Sequence, residues 1–202
     1  MAASSTSRRY DKGESKRREI LEQALLLIAD RGYTASTLSE IADSVGLTKA
    51  GVLHYFESRQ SLMAAILQER DAAETATSIS SAGDSLDGLA EAMSNNTRTP
   101  GLVAMYSRLV VDAAEPHHPA HDYIDDRYRN IVSTLSESIL RRQAGGRISS
   151  LEDAETLARI AVAVSDGLQL QWSYDSTLDM RAVLDIALSL FDPQHPAPSA
   201  DN

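Results

Sequence analysis

The apolar residues of this 202-residue chain recur almost everywhere at spacings of three and four, the period of an α-helix. No stretch alternates convincingly between apolar and polar as a half-buried strand would, so the expected fold class is all-α. Ile20, Ala24, Leu27 and Ile28 put an apolar stripe on a helix over 14–31, which Gly32 can end in the left-handed conformation. A short helix over 38–45 opens with Thr37-Leu38-Ser39-Glu40, in which hydroxyl and carboxylate can each satisfy the other's backbone N–H. Gly46 permits a tight turn, Thr48 can cap a third helix ending near Phe56, and Ser58 can cap a fourth over 59–81. Five more helices are expected over 85–96, 101–115, 120–143, 152–174 and 179–191, separated by Pro100, the 115–119 corner, Gly145-Gly146 and Ser149-Ser150. About nine helices result.

A chain of this length buries roughly 70% of its unfolded surface, enough for a full core. The longest apolar run, 24–29, is far short of the roughly 18 residues of a membrane span. The first ten residues lack the apolar segment of a secretory signal, and the absence of cysteine excludes disulfides and thiolate chemistry, so a cytoplasmic location is expected. The net charge of −10 is unevenly spread. Residues 1–70 hold 10 of the 19 Lys and Arg and 9 of the 29 Asp and Glu, a net of +1, which leaves −11 for the remainder. Arg8, Arg9, Lys12, Lys16, Arg17 and Arg18 cluster at the start, the local footprint that a phosphate backbone attracts.

Two short helices joined at Gly46, with Ile41, Ala42, Val45, Leu47 and Val52 facing inward, have the spacing of a helix-turn-helix. The second helix of that motif enters the DNA major groove, and here it opens with Thr48-Lys49-Ala50-Gly51, three small residues and a lysine able to donate to guanine or phosphate. The run Thr37-Leu38-Ser39-Glu40-Ile41-Ala42, then 45–56 (VGLTKAGVLHYF), then Ser58-Arg59 and Leu62, resembles the DNA-binding segment of TetR-family transcriptional regulators over about residues 14–65. The resemblance implies a helical homodimer whose N-terminal domains bind a double-stranded DNA operator and whose C-terminal domains hold a small effector. A ligand-responsive repressor on a near-palindromic operator is the expected function, with no enzymatic activity and no cofactor. Position by position it implies phosphate contacts at Thr37, Tyr55 and Arg59, and groove contacts at Ser39, Thr48, Lys49, Ala50, Gly51 and His54. Leu53 stands where the family usually has a phosphate-binding Tyr, and Arg59 where it usually has Lys.

The expected organisation is a flexible basic arm at 1–13, a DNA-binding domain at 14–60, a helical effector-binding and dimerisation domain at 61–192, and a loose tail at 193–202. A mainly apolar effector is expected among Met93, Met105, Tyr106, Tyr123 and Trp172, with Arg127 and Gln169 as polar anchors; Asp166 is a further polar residue in apolar helical surroundings. The helix over 152–174 is apolar nearly all round and must be covered on both sides, so a second copy is expected against Leu157, Ala161, Val164 and Leu168, with Val183 and Leu190 of the last helix. Two alternatives stand beside the effector reading: a C-terminal domain that only dimerises, or a metal-binding module using His117, His118 and His121. No HExxH motif supports the metal.

Overall fold

The computed structural model describes residues 3–33, 36–80, 85–149 and 152–195, and of 3–12 and 73–80 the backbone alone. Among them lie nine helices and no strand: α1 (Ala3–Arg31), α2 (Leu38–Ser44), α3 (Lys49–Phe56), α4 (Arg59–Ser80), α5 (Ser85–Asn96), α6 (Pro100–Asp112), α7 (His121–Ala144), α8 (Ala154–Trp172) and α9 (Met180–Ser189). Their ends follow from local chemistry. The Thr37–Glu40 capping box forms, Thr48, Asp153 and Asp179 accept the N–H of Gly51, Thr156 and Ala182, and Pro100 occupies the first turn of α6. Gly32 and Gly46 carry φ of +82° and +66°, the left-handed backbone that the two turns require.

Two apolar clusters organise the packing. The first joins α1–α4 to α6 and the start of α7, through Ile20, Ile28, Ile41, Val52, Phe56, Leu62, Ile66, Met105 and Leu109. The second joins α5, α7, α8 and α9, through Leu86, Met93, Ile139, Ala158, Leu168, Trp172, Met180 and Leu184. The first cluster therefore runs past residue 60 into the C-terminal helices. Its tightest point is Gly101: a Cβ there would stand 1.8 Å from the Ile28 carbonyl oxygen, so only glycine lets α6 lie on the backbone of α1.

Two boundaries differ from expectation. Helix α1 begins at Ala3, so residues 3–13 of the segment expected to form a flexible arm continue the helix; residues 1–2 lie outside the description. The tail expected to be loose is anchored as far as His195, which is buried with Nε2 2.9 Å from Asp185 Oδ1; residues 196–202 lie outside the description. Beside it, Arg142 of α7 is buried and reaches both Asp192 and Asp87 of α5, tying two helices and the final turn by charge. Removing one partner from such a set leaves a buried charge without compensation, which costs about 3–5 kcal/mol.

Gly101→Ala should cost about 1–3 kcal/mol, because the new methyl group must push α6 away from α1. Gly88→Ala, in α5 with open space at the Cβ position, should be neutral or stabilising by up to about 1 kcal/mol. Urea midpoints of the two variants check the contrast; equal midpoints would show that the α1–α6 approach is not tight in solution.

Candidate functional site

The turn between α2 and α3 is built from backbone bonds, Val45 N–H and Leu47 N–H both donating to Ala42 O (3.2 and 2.8 Å) and Gly46 N–H to Asp43 O (3.2 Å). It is braced from outside by Lys16 of α1, whose Nζ donates to Val45 O at 2.7 Å. Helix α3 then buries Val52 and Phe56, which leaves Thr48, Lys49, Ala50 and His54 exposed on its outer side and Gly51 and Tyr55 half-buried. The exposed end is narrow: small side chains, one lysine, and His54 edge-on to Tyr55 with ring centroids 5.6 Å apart. Such a profile suits a major groove about 12 Å wide, where the first turn of the second helix meets the bases. Thr37 is exposed and Ser39 half-buried at the start of α2, where free N–H groups favour an anion.

Arg59 departs from its expected role. Its Nη2 donates to Tyr33 O (2.9 Å) and Ser36 O (3.4 Å), and its guanidinium lies 4.5 Å from the Tyr33 ring centroid, so it clasps the α1–α2 loop rather than facing outward. A carbonyl pair and a ring in reach of a planar five-donor group outcompete solvent. Lys16 and Arg17, the latter over the Phe56 ring at 4.9 Å, are likewise used inside the fold, while Arg18 is exposed. The side chains of Arg8, Arg9 and Lys12 lie outside the described set.

Between α4, α5, α6, α7 and α8 lies a cavity of about 80 Å³. Of the residues expected to hold an effector, Met93, Tyr106, Arg127 and Gln169 line it. Tyr123 stands just behind, donating to Asp71 Oδ2 at 2.5 Å. Met105 and Trp172 do not line it: the first is buried in the N-terminal cluster and the second in the C-terminal one. Asp166, the further polar residue, faces it too, and the wall is more polar than expected because Arg70, Asp71, Asn96 and Ser165 also line it. Arg127 holds Asp71 through Nε (2.7 Å) and Nη2 (3.4 Å) and donates from Nη1 to the Tyr106 hydroxyl (3.2 Å). Tyr106 and Tyr128 in turn donate to the two oxygens of Asp166, at 3.0 and 2.6 Å. Burial, with Asp166 nearby, pushes the Tyr106 phenol up to about 12, and burial with hydrogen bonding raises Tyr123 and Tyr128, so all three stay protonated donors. Burial works against the Arg127 charge, but Tyr106 and Asp71 outweigh it and its pKa is raised. The sequence could not show these partners, since Asp71 and Arg127 are brought together from distant helices.

The residues expected at a subunit interface divide. Leu157, Ala161 and Leu168 are buried within the chain, so they are corrected to core residues; Val164 is half-buried, Val183 is exposed and Leu190 is 82% exposed. The side of α8 that faces outward is instead Ile160, Ala163 and Leu170, continued by Ile186 of α9. The inward half was chosen by α7 and α9, which an all-round apolar helix cannot announce. The metal alternative also fails to assemble: His121 Nδ1 lies 2.8 Å from Ala113 O, His118 Nδ1 accepts from Ala120 N–H, and among the described residues no three His, Asp or Glu side chains could hold an ion.

These helices define a helix-turn-helix unit packed against further helices. Residues 20–66 match the model of bacterial regulatory proteins, tetR family. The transcriptional repressor KstR2 of Mycolicibacterium smegmatis is 36% identical over 55 residues, 27% of each chain, so the match spans about a quarter of that repressor's length. The transcriptional regulator TtgR of Pseudomonas putida is 25% identical over 184 residues, 82% of this chain and 83% of that one. A solved transcriptional regulator from Saccharomonospora viridis, in complex with choline, has the same fold, with TM-score 0.70, 24% identity, and 87% of this chain and 96% of that one covered. Residues 20–66 thus resemble the DNA-binding segment of the tetR family, and the chain as a whole shares its fold with solved transcriptional regulators.

The capping box makes the DNA-facing unit sensitive to acid. Hydrogen bonds from the backbone and then the hydroxyl of Thr37 hold Glu40 below the ordinary carboxylate value, so its contribution is complete above that value and is lost as pH falls through the lowered one. The difference in melting temperature between wild type and Glu40→Gln should be full at pH 7 and shrink below about pH 4. A difference independent of pH would assign the effect to packing.

Proposed function

We propose that this protein is a ligand-responsive transcriptional repressor that binds a near-palindromic duplex operator as a homodimer and leaves it when a small molecule occupies the cavity. The observation that carries the reading is the exposed first turn of α3, with Lys49 and Ala50 outward and Val52 and Phe56 holding the helix from behind. Thr37, Ser39 and Tyr55 are the phosphate ligands in this reading, and Thr48, Lys49, Ala50, Gly51 and His54 the groove residues. The relatives named as repressors support the direction of regulation, and the choline in the S. viridis structure supports a small-molecule occupant. The role is regulatory rather than catalytic. Among the described residues no helix is long and apolar enough to cross a membrane.

Two helices carry the cavity's state to the DNA-binding unit. Helix α4 has Leu62–Leu67 in the N-terminal cluster and Arg70 and Asp71 at the cavity; α6 has Gly101 on the α1 backbone and Tyr106 at the cavity. A ligand that displaces Tyr106 or Asp71 thus shifts the elements that support α3, and by linkage it weakens operator binding by the factor that the operator weakens ligand binding. The partner copy is placed on the exposed apolar side of α8 and α9, where Ile160, Leu170, Val183, Ile186 and Leu190 recur at helical spacing.

Lys49→Ala should weaken operator binding by about 1–3 kcal/mol and relax its sequence preference if the lysine reads a base, or lower affinity evenly with a shallower salt dependence if it meets phosphate. Unchanged affinity, in titrations on duplexes selected from a random pool, would remove α3 from the interface. Ile186→Glu should yield folded monomer in sedimentation, whereas Leu168→Glu should unfold the chain, because that side chain is 4% exposed within one copy. A folded dimer of Ile186→Glu would put the interface elsewhere.

A further inference from the structure

The cavity wall carries two guanidinium groups and two carboxylates, and they are not equivalently compensated. Arg127 is neutralised by Asp71 through two bonds, and Arg70 donates to Asn96 Oδ1 at 2.5 Å, which itself donates to Gln169 Oε1 at 3.2 Å. Asp166 differs. Each of its oxygens accepts one tyrosine hydroxyl, from Tyr106 and from Tyr128, and among the described residues no ammonium or guanidinium nitrogen lies within ion-pair distance of it. Both phenols stay protonated, since burial raises them, so Asp166 is held by neutral donors only. A carboxylate with two donors still has acceptor positions open on each oxygen. Taking it partly out of water without an opposite charge is costly, and a cation that enters beside it recovers that cost.

We infer that the cavity binds a small organic ammonium ion, with the Asp166 carboxylate, flanked by Tyr106 and Tyr128, as its anchor. This deepens the effector reading proposed above and rests on it. The free space of about 80 Å³ is only a few water molecules in size, which fits a compact ammonium head group and excludes a bulky one unless the helices part. The rest of the wall agrees: Leu67, Leu89, Met93 and Val162 are apolar and suit the carbon substituents of such an ion. An anionic head group meets two guanidinium groups that are already bonded and a carboxylate that repels it.

The test is titration calorimetry of the full-length chain with ethylammonium, trimethylammonium and tetramethylammonium chlorides, with butyrate as the anionic probe and butanol as the neutral one. At least one ammonium ion should bind saturably to wild type, and Asp166→Asn should weaken it about 10–100-fold, the worth of a hydrogen bond to a charged group. Tyr128→Phe, which removes one donor from Asp166 and keeps the carboxylate, should bind the same ion equally or more tightly; it serves if Asp166→Asn melts early. An ammonium ion that binds wild type and Asp166→Asn alike overturns the inference, as does one whose binding is lost in Tyr128→Phe, and as does binding of butyrate or butanol with no ammonium ion bound. In that last case the cavity remains an effector site of another class. No binding of any of the three classes overturns both the inference and the effector reading.

Discussion

The contact of Gly101 with the Ile28 carbonyl sets how the two halves of this molecule meet. Because no side chain intervenes, α6 lies directly on α1, and α1 is the helix against which α2 and α4 pack in the first apolar cluster. Tyr33, just after α1, strengthens the same junction, since both Arg59 at the start of α4 and Arg108 on α6 lie over its ring, at 4.5 and 5.6 Å. A shift of α6 by a fraction of an ångström is therefore felt by backbone rather than absorbed by a flexible side chain, as close-packed interiors require. Four contacts follow within two turns of α6 itself: Gly101 on α1, Met105 in the N-terminal core, Val103 in the C-terminal one, and Tyr106 at the cavity.

Charge is organised with the same economy. The chain is acidic, yet the exposed tip of α3 carries no carboxylate between Thr48 and Phe56. Several buried or half-buried acidic groups of the C-terminal domain are paired: Asp71 with Arg127, Asp192 with Arg142, and Asp185 with Arg181 and His195. Asp166 is bonded, among the described residues, to hydroxyls alone, and it lies at the cavity that α4, α6, α7 and α8 border.

What could be read before the structure was local. The capping box, the left-handed Gly46 and the Thr48 cap act within four residues of themselves, so the sequence carries them directly, and the spacing of Val52 and Phe56 fixes which side of α3 points away. What escaped was long-range. Arg59, Lys16 and Arg17 read as DNA-facing because a basic side chain near a helix-turn-helix has two uses, and only the fold shows that backbone carbonyls and rings lie nearer than solvent. Leu157, Ala161 and Leu168 read as subunit contacts because α8 is apolar nearly all round, and nothing in its pattern says which side α7 and α9 cover. The cavity wall was half legible: Tyr106, Arg127 and Gln169 stood out as polar handles, but Asp71 reaches Arg127 from 56 residues away.

In the function proposed above, this acidic protein reads DNA through a small, locally uncharged-to-basic surface on α3, doubled by symmetry. The salt dependence of binding to a duplex selected from a random pool addresses it most directly. A dimer that neutralises several phosphates on each half-site should lose roughly a thousandfold or more in affinity between 50 and 200 mM salt, on a duplex whose two half-sites lie in successive major grooves. Affinity that hardly changes over that range, or selection that enriches no symmetric site, would contradict recognition of the operator by paired α3 helices.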